Sequence, residues 1–174
     1  MRNSTITTLP LLESRLELAQ ICWVVPDIHA AVKFLSNAFG VTSFPRPEHF
    51  RAQDLNMTYY GNVVPGEWLT TQAYNGIFIE LVQPLSGQSM FHDYLAAHPA
   101  GGVQHNAFRL PVSGFEQVTN NLREQGYKVI SEVDHPIARM VFFDTYKPLG
   151  VVTEIMGITP DGWNAIEQME KIEG

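Results

Sequence analysis

Residues 20–28 read QICWVVPDI and residues 105–113 read HNAFRLPVS. Laying Gln20 on His105 puts Trp23 on Phe108 and Pro26 on Pro111, so two apolar, strand-like runs are closed at the same step by a proline. After each proline comes a residue suited to capping a helix, Asp27 and Ser113, and then apolar residues at three-four spacing. Glycines stop both helices, Gly40 and Gly126, and about three further strand-like runs complete each half. The chain therefore reads as one strand–helix–three-strand (βαβββ) unit used twice.

The first unit is expected over 17–83, with a strand at Leu18–Val25, a helix at Ile28–Ala38, short runs at Asn56–Tyr60 and Trp68–Ala73, and a last strand at Ile77–Val82 after an Asn75–Gly76 turn. A connecting segment, 84–102, carries a short helix over Ser89–Ala97. The second unit spans 103–158, with strands at Val103–Leu110, Val129–Val133, Met140–Asp144 and Val151–Met156, and its helix capped by Ser113. Outside the pair lie an N-terminal extension, 1–16, and a C-terminal tail, 159–174, with an amphipathic helix at Trp163–Ile172.

Four polar residues stand alone inside apolar runs: Gln20 in LELAQICWVV, Glu80 in NGIFIELVQP, His105 in GGVQHNAFRL and Glu154 in GVVTEIMGI. Strand alternation places each on one face of a half-buried strand, where an uncompensated carboxylate is costly. An amide, an imidazole and two carboxylates suit one divalent cation, whose charge the two glutamates balance. Taken singly, each has a blander reading: Gln20 a hydrogen-bonded strand amide, either glutamate a partner of Arg109, His105 a satisfied core histidine. Taken together, the four occupy the first and last strand of each unit. His49, His92, His98 and His135 fall in loop or helix contexts and are expected at the surface. Cys22 shares the inward face with Gln20, and packing accounts for it. Arg109, also inward, is expected either to hold an anionic substrate group or to form a structural ion pair.

Composition narrows the partners. A net charge of −7 and eleven scattered Lys and Arg argue against nucleic acid. No apolar run approaches the roughly 20 residues of a membrane span, and the start, MRNSTITTLPLLESRLE, lacks a secretory apolar core, so a cytoplasmic protein with no membrane partner is expected. Cys22 is the only cysteine, which is read as excluding an internal disulfide and a thiolate-based zinc site and leaving any metal to O and N ligands.

The doubled βαβββ unit with a polar residue on the first and last strand of each copy resembles the vicinal oxygen chelate superfamily, which holds glyoxalase I, methylmalonyl-CoA epimerase, extradiol dioxygenases and bleomycin-resistance proteins. The wording FIELVQPLSGQS, HPAGGVQHNAF and FFDTYKPLGVVTEI is similar to the methylmalonyl-CoA epimerase and glyoxalase I-like branch, over about Leu18–Ile158. The resemblance implies an α+β fold in which two modules, related by a pseudo-twofold axis, form a cupped, barrel-like mixed sheet around a metal site. It also implies one divalent ion (Zn, Ni, Co, Mn or Fe) on Gln20, Glu80, His105 and Glu154. The epimerases have His at the Gln20 position, whereas certain glyoxalase I enzymes carry Gln, Glu, His and Glu in this order. Gln104 stands where the family pattern would place a second histidine.

The implied activity is that of a metal-dependent isomerase, epimerase or lyase. The metal polarises a carbonyl and holds the enediolate left when the neighbouring C–H loses its proton. Glu154 is the expected base and Glu80 its counterpart on the other side. The substrate is a small molecule with vicinal oxygens, a thioester or thiol adduct included, and the protein is expected to be a homodimer. Two alternatives stay open: a metal-free binding protein of resistance or sequestration type, and an extradiol dioxygenase, against which Gln20 and the two glutamates count.

Overall fold

The computed structural model describes residues 16–172; most of the expected N-terminal extension lies outside the described residues. The elements in chain order are β1 (Glu17–Val24), α1 (Ile28–Phe39), β2 (Glu48–Arg51), a 3-10 turn (Ala52–Leu55), β3 (Thr58–Tyr59), β4 (Asn62–Val63), β5 (Gly66–Tyr74), β6 (Phe78–Gly87), α2 (Met90–Ala97), β7 (Gly102–Pro111), α3 (Val112–Glu124), β8 (Val129–His135), β9 (Ala138–Phe143), α4 (Tyr146–Leu149), β10 (Val152–Ile158) and α5 (Pro160–Ile172).

All described strands join one mixed sheet in the order β2-β5-β6-β1-β7-β10-β9-β8-β3-β4. Its core is a palindrome. β1, β6, β5 and β2 run outward on one side of the β1–β7 seam, and β7, β10, β9 and β8 on the other, with β1 and β7 antiparallel and each paired in parallel with the last strand of its own unit. The register obeys the same twofold relation. Gln20 lies opposite Ala107 and Cys22 opposite His105 across the seam, so exchanging Gln20 with His105 and Cys22 with Ala107 maps the seam onto itself. Cys22 pairs with Glu80 as Ala107 pairs with Glu154. The doubled module is thus present as expected, with the two glutamates at corresponding places.

The helices begin where their caps dictate. Asp27 accepts the Ala30 N–H at 3.0 Å, and α1 ends at Gly40 with φ 72, a left-handed turn that costs glycine little. In the second unit Pro111 occupies the cap in place of the expected Ser113, and the helix opens at Val112, two residues earlier than that cap implies. α3 seats Phe115 and Val118 on Ile155, Val141 and Phe143, forming a core on one face of the sheet. β10 passes close beneath that helix because residue 157 is glycine: a Cβ there would lie 2.7 Å from Phe115. At the corresponding place in β6, the Gln83 side chain instead accepts the Ile28 N–H at 2.9 Å and pins the start of α1.

The opposite face is concave. Residues from β1, β2, β5, β6, β7, β8, β9 and β10 all line one cavity of about 480 Å³, which requires the sheet to curl around it as a half-barrel. The loop after α1 departs from the simple repeat. The β3–β4 hairpin crosses to the far edge and pairs with β8 of the other unit, Thr58 with Glu132 and Tyr59 with Ser131, tying the two halves together. The tail helix extends from Pro160, three residues earlier than expected, and supplies Ile166 and Met169 to the cavity wall.

Candidate metal centre

The ladder explains why four residues distant in sequence meet. Strands lie about 4.8 Å apart, and along one row of the sheet the inward side chains are Glu80, Cys22 and His105 on β6, β1 and β7. The next row carries Gln20 and, two strands away, Glu154. Long side chains close the remaining gaps. The Gln20 Nε2 donates to Glu80 Oε2 at 2.8 Å and lies 3.4 Å from His105 Nε2. The same imidazole nitrogen is 3.5 Å from Glu80 Oε2 and 3.2 Å from Glu154 Oε2. All four sequence-selected residues therefore converge on one atom, His105 Nε2.

Backbone irregularities aim two of them. Between β1 and β7 the pairing slips twice, once across Leu18 and Gln20 and once across Cys22 and Trp23, which leaves Ala19 and Gln104 as the extra residues. Each bulge immediately precedes a member of the cluster, and the twofold relation that carries Gln20 to His105 carries Ala19 to Gln104. Bulges re-aim the neighbouring side chain. Here the second one also brings Gln104 back onto its neighbour: the Gln104 Oε1 accepts from His105 Nδ1 at 2.6 Å, with both residues only 1% exposed. With its hydrogen on Nδ1, the ring presents the bare Nε2 lone pair to the cluster.

That lone pair faces two carboxylate oxygens in a buried pocket, an arrangement that calls for a positive charge between them, either a proton on Nε2 or a cation. The donor set meets the requirements of a divalent ion. Bonds of about 2.1 Å would set neighbouring donors about 3 Å apart, and the observed contacts run from 2.8 to 3.5 Å. Gln20 offers its amide oxygen by a half-turn about its last bond.

Burial pushes the Glu80 carboxyl up from its ordinary value; the Glu154 charge adds to the rise, while His105 and a Thr70 hydroxyl, donating to Glu80 Oε1 at 3.1 Å, oppose it. Cys22 Sγ lies within 4.8 Å of the donor atoms of Glu80 and His105. The sequence reading assigned this cysteine to packing alone. It is fully buried, and burial, then Glu80 and Glu154, push its thiol well up, so it stands beside the cluster as a neutral SH.

Arg109 lines the cavity and forms ion pairs. Its Nε and Nη2 donate to Glu17 at 3.2 and 3.0 Å, Nη1 donates to Glu170 at 3.0 Å, and the guanidinium lies 5.2 Å from the Trp163 ring centroid. The arginine thus clamps the tail helix to β1 and is already balanced by two carboxylates. Two histidines expected at the surface also lie elsewhere: His135 lines the cavity, and His92 is half-buried, its Nδ1 2.8 Å from Ser89 Oγ. Gln104 and Thr70 were missed because no residue-type signal distinguishes a strand amide or threonine that serves a neighbour from one that faces solvent.

The curled sheet of two inverted modules around a buried Gln, His and paired-Glu cluster defines the vicinal oxygen chelate class. The chain belongs to the Glyoxalase/Bleomycin resistance protein/Dioxygenase superfamily, whose family model matches residues 19–142. No curated protein matches the sequence. Among solved structures, methylmalonyl-CoA epimerase from Mycobacterium tuberculosis superposes with a TM-score of 0.58 at 19% identity, covering 83% of this chain and 89% of that one. A variant of Streptomyces coelicolor methylmalonyl-CoA epimerase in complex with 2-nitronate-propionyl-CoA gives 0.58 at 19% identity, covering 82% and 94%. At these identities the likeness is one of fold.

Proposed function

We propose that this chain is a divalent-metal-dependent isomerase, epimerase or lyase of glyoxalase type, moving a proton at a carbon next to a carbonyl. The observation that carries the reading is the convergence of Gln20, Glu80 and Glu154 on the Nε2 of His105, in a buried group with two carboxylates to balance. These four residues would hold the ion, and when bound it supplies Lewis-acid polarisation of a substrate carbonyl.

The protein's own part is the proton. Glu154, 3% exposed and lining the cavity, takes the proton from the carbon; Glu80, from the other unit, returns one to the same carbon or its neighbour. The pair lies across the pseudo-twofold axis, on β6 and β10, which suits attack and return from opposite sides. Apolar walls keep bulk water from competing for that proton. Methylmalonyl-CoA epimerases share the fold, one of them in complex with methylmalonyl-CoA, in keeping with this reaction class.

A metal-free binding protein is the second reading. It is favoured by one observation: the Gln20 and Thr70 hydrogen bonds to Glu80, with His105 between both carboxylates, also close as a self-contained ion-pair network around a charged imidazole. Metal analysis of the purified protein, followed by solvent deuterium exchange across 2-oxo acids, α-hydroxyketones and acyl thioesters, separates the two. Exchange that requires the ion supports the enzyme; a stoichiometry near zero after loading, with ligand binding intact, supports the binding protein.

A further inference from the structure

The cavity wall is of two kinds. Its donors gather at the Gln20–Glu80–His105–Glu154 corner, while much of the rest of the wall is apolar: four of the six methionines, Met57, Met140, Met156 and Met169, line it together with aromatic residues such as Trp68 and Phe142. At about 480 Å³ it lies within the roughly 300–1,000 Å³ span of small-ligand pockets. Methionine walls adapt their shape and favour polarisable, aromatic or branched bodies over polar ones.

Charge sharpens the choice. One divalent ion would cancel Glu80 and Glu154, leaving no surplus positive charge at the donor corner. Of the two arginines on the lining, Arg109 is committed to Glu17 and Glu170, and Arg46 is exposed at the rim, where solvent screens it, on the same stretch as Glu48. With the ion's charge already balanced by Glu80 and Glu154, a substrate carboxylate entering this cup would bring an uncompensated negative charge into a buried site. The tail helix adds Ile166 and Met169 to the wall, apolar side chains that offer a polar carrier arm no hydrogen-bond partner.

The geometry points to an uncharged, carrier-free substrate: an aryl or branched-alkyl ketone with a second oxygen, carbonyl or hydroxyl, on the adjacent carbon. The adjacent oxygens face the donor corner and the hydrocarbon body fills the methionine-lined part. This inference rests on the proposed metal-dependent proton transfer and names the substrate class of that same site.

The test is calorimetric titration of the full-length, Zn²⁺-loaded protein with 1-phenylpropane-1,2-dione, with phenylpyruvate as a nine-carbon anionic counterpart, and with propionyl-CoA. The dione is expected to bind tighter than either by about tenfold or more. Met169→Glu and, separately, Met156→Glu, both on half-buried wall positions, should each weaken dione binding by about tenfold with little change in the melting curve. Equal or tighter binding of phenylpyruvate or propionyl-CoA, or failure of the dione to bind, overturns the substrate class. Solvent deuterium exchange measured on the same three compounds keeps the reaction separate from the substrate class. If exchange is absent while the dione still binds, the reaction falls and the class stands. If exchange is found only with an anionic acid or a thioester, the class falls and the reaction stands.

Discussion

Replacing Gln104 by alanine removes the acceptor that fixes the His105 ring without touching the metal-facing nitrogen. The hydrogen bond is 2.6 Å long and both partners are 1% exposed, so the Nδ1–H is left buried and unpaired. An orphaned buried donor costs about 1–3 kcal/mol. For a chain of this size that corresponds to a fall in melting temperature of about 2–12 °C, at roughly 2–4 °C per kcal/mol, with the low end reached if water enters the vacated space. Without its acceptor the ring also samples the other tautomer, in which Nε2 carries hydrogen and cannot bind a cation. Losing such a supporting partner typically lowers metal affinity by about 10–100-fold. Chelator competition measures the affinity, and an imidazole nitrogen–proton correlation spectrum reads the tautomer directly. Gln104→Glu, which restores an acceptor at the same reach, should recover most of the affinity. A folded Gln104→Ala protein that keeps the Nδ1–H tautomer and binds metal within about threefold of the parent would refute the positioning role.

Four other outcomes are expected. Glu154→Gln should retain most metal while solvent exchange falls by about 10²–10⁴-fold, whereas His105→Ala should lose metal and exchange together; unchanged exchange in Glu154→Gln would name another base. Cys22, fully buried with its thiol pushed up by burial and then by Glu80, should react with a thiol reagent more than about a hundredfold slower in the native protein than after unfolding, since less thiolate forms at any given pH; comparable rates would contradict the buried, neutral thiol. Arg109→Leu should loosen the tail helix, with faster amide exchange over 160–172 and a loss of about 1–2 kcal/mol, modest because Glu17 and Glu170 remain partly solvated; unaltered protection there would mean that Trp163 and the apolar contacts hold the helix alone. Sedimentation should give a homodimer, which would cover Phe34 and Phe39, 59% and 67% exposed on α1; a monomer at micromolar concentration would remove that expectation.

The parts of the architecture that were legible in the sequence are those governed by local periodicity. A proline ending an apolar run, a capping Asp and a glycine stop each act within a few residues, so the repeat and both module helices could be read from them. The cluster was legible because a glutamate inside FIEL or VTEIM has no local partner and must find one elsewhere. What escaped depends on long-range or irregular geometry. Strand phase assigns Gln104 to the face opposite His105, and the bulge that cancels this assignment is a property of the β1–β7 pairing rather than of either strand. Arg109 meets carboxylates 92 and 61 positions away, one at the start of the first module and one in the tail, so nothing nearby announces whether it is free or clamped. The β3–β4 hairpin, too, carries no sign in its own residues that it will pair with β8 of the other module.

The twofold relation also says where the two halves have ceased to be equivalent, and those differences support distinct roles for the two glutamates. By register, Thr70 and Met140 occupy corresponding places on β5 and β9, as do Glu80 and Glu154 on β6 and β10. Thr70 donates to Glu80, and Gln20 donates to it from the seam, so two hydrogen bonds hold that carboxylate's orientation. Methionine at the corresponding place offers Glu154 no such donor; its polar contact is the 3.2 Å approach to His105. Within the first unit the thiol of Cys22 lies beside Glu80, where the second has the methyl group of Ala107 beside Glu154. A carboxyl group fixed by two donors suits holding a cation and handing back a proton from one set direction, and one with fewer tethers can turn between a cation and the substrate C–H. The assignment of Glu154 as base therefore draws on the hydrogen bonds its counterpart makes and it does not. Thr70→Val tests the logic from the other side: freeing Glu80 should weaken metal binding while leaving the Glu154-dependent exchange rate of the metal-saturated protein nearly unchanged, and a selective loss of that rate instead would reverse the two roles.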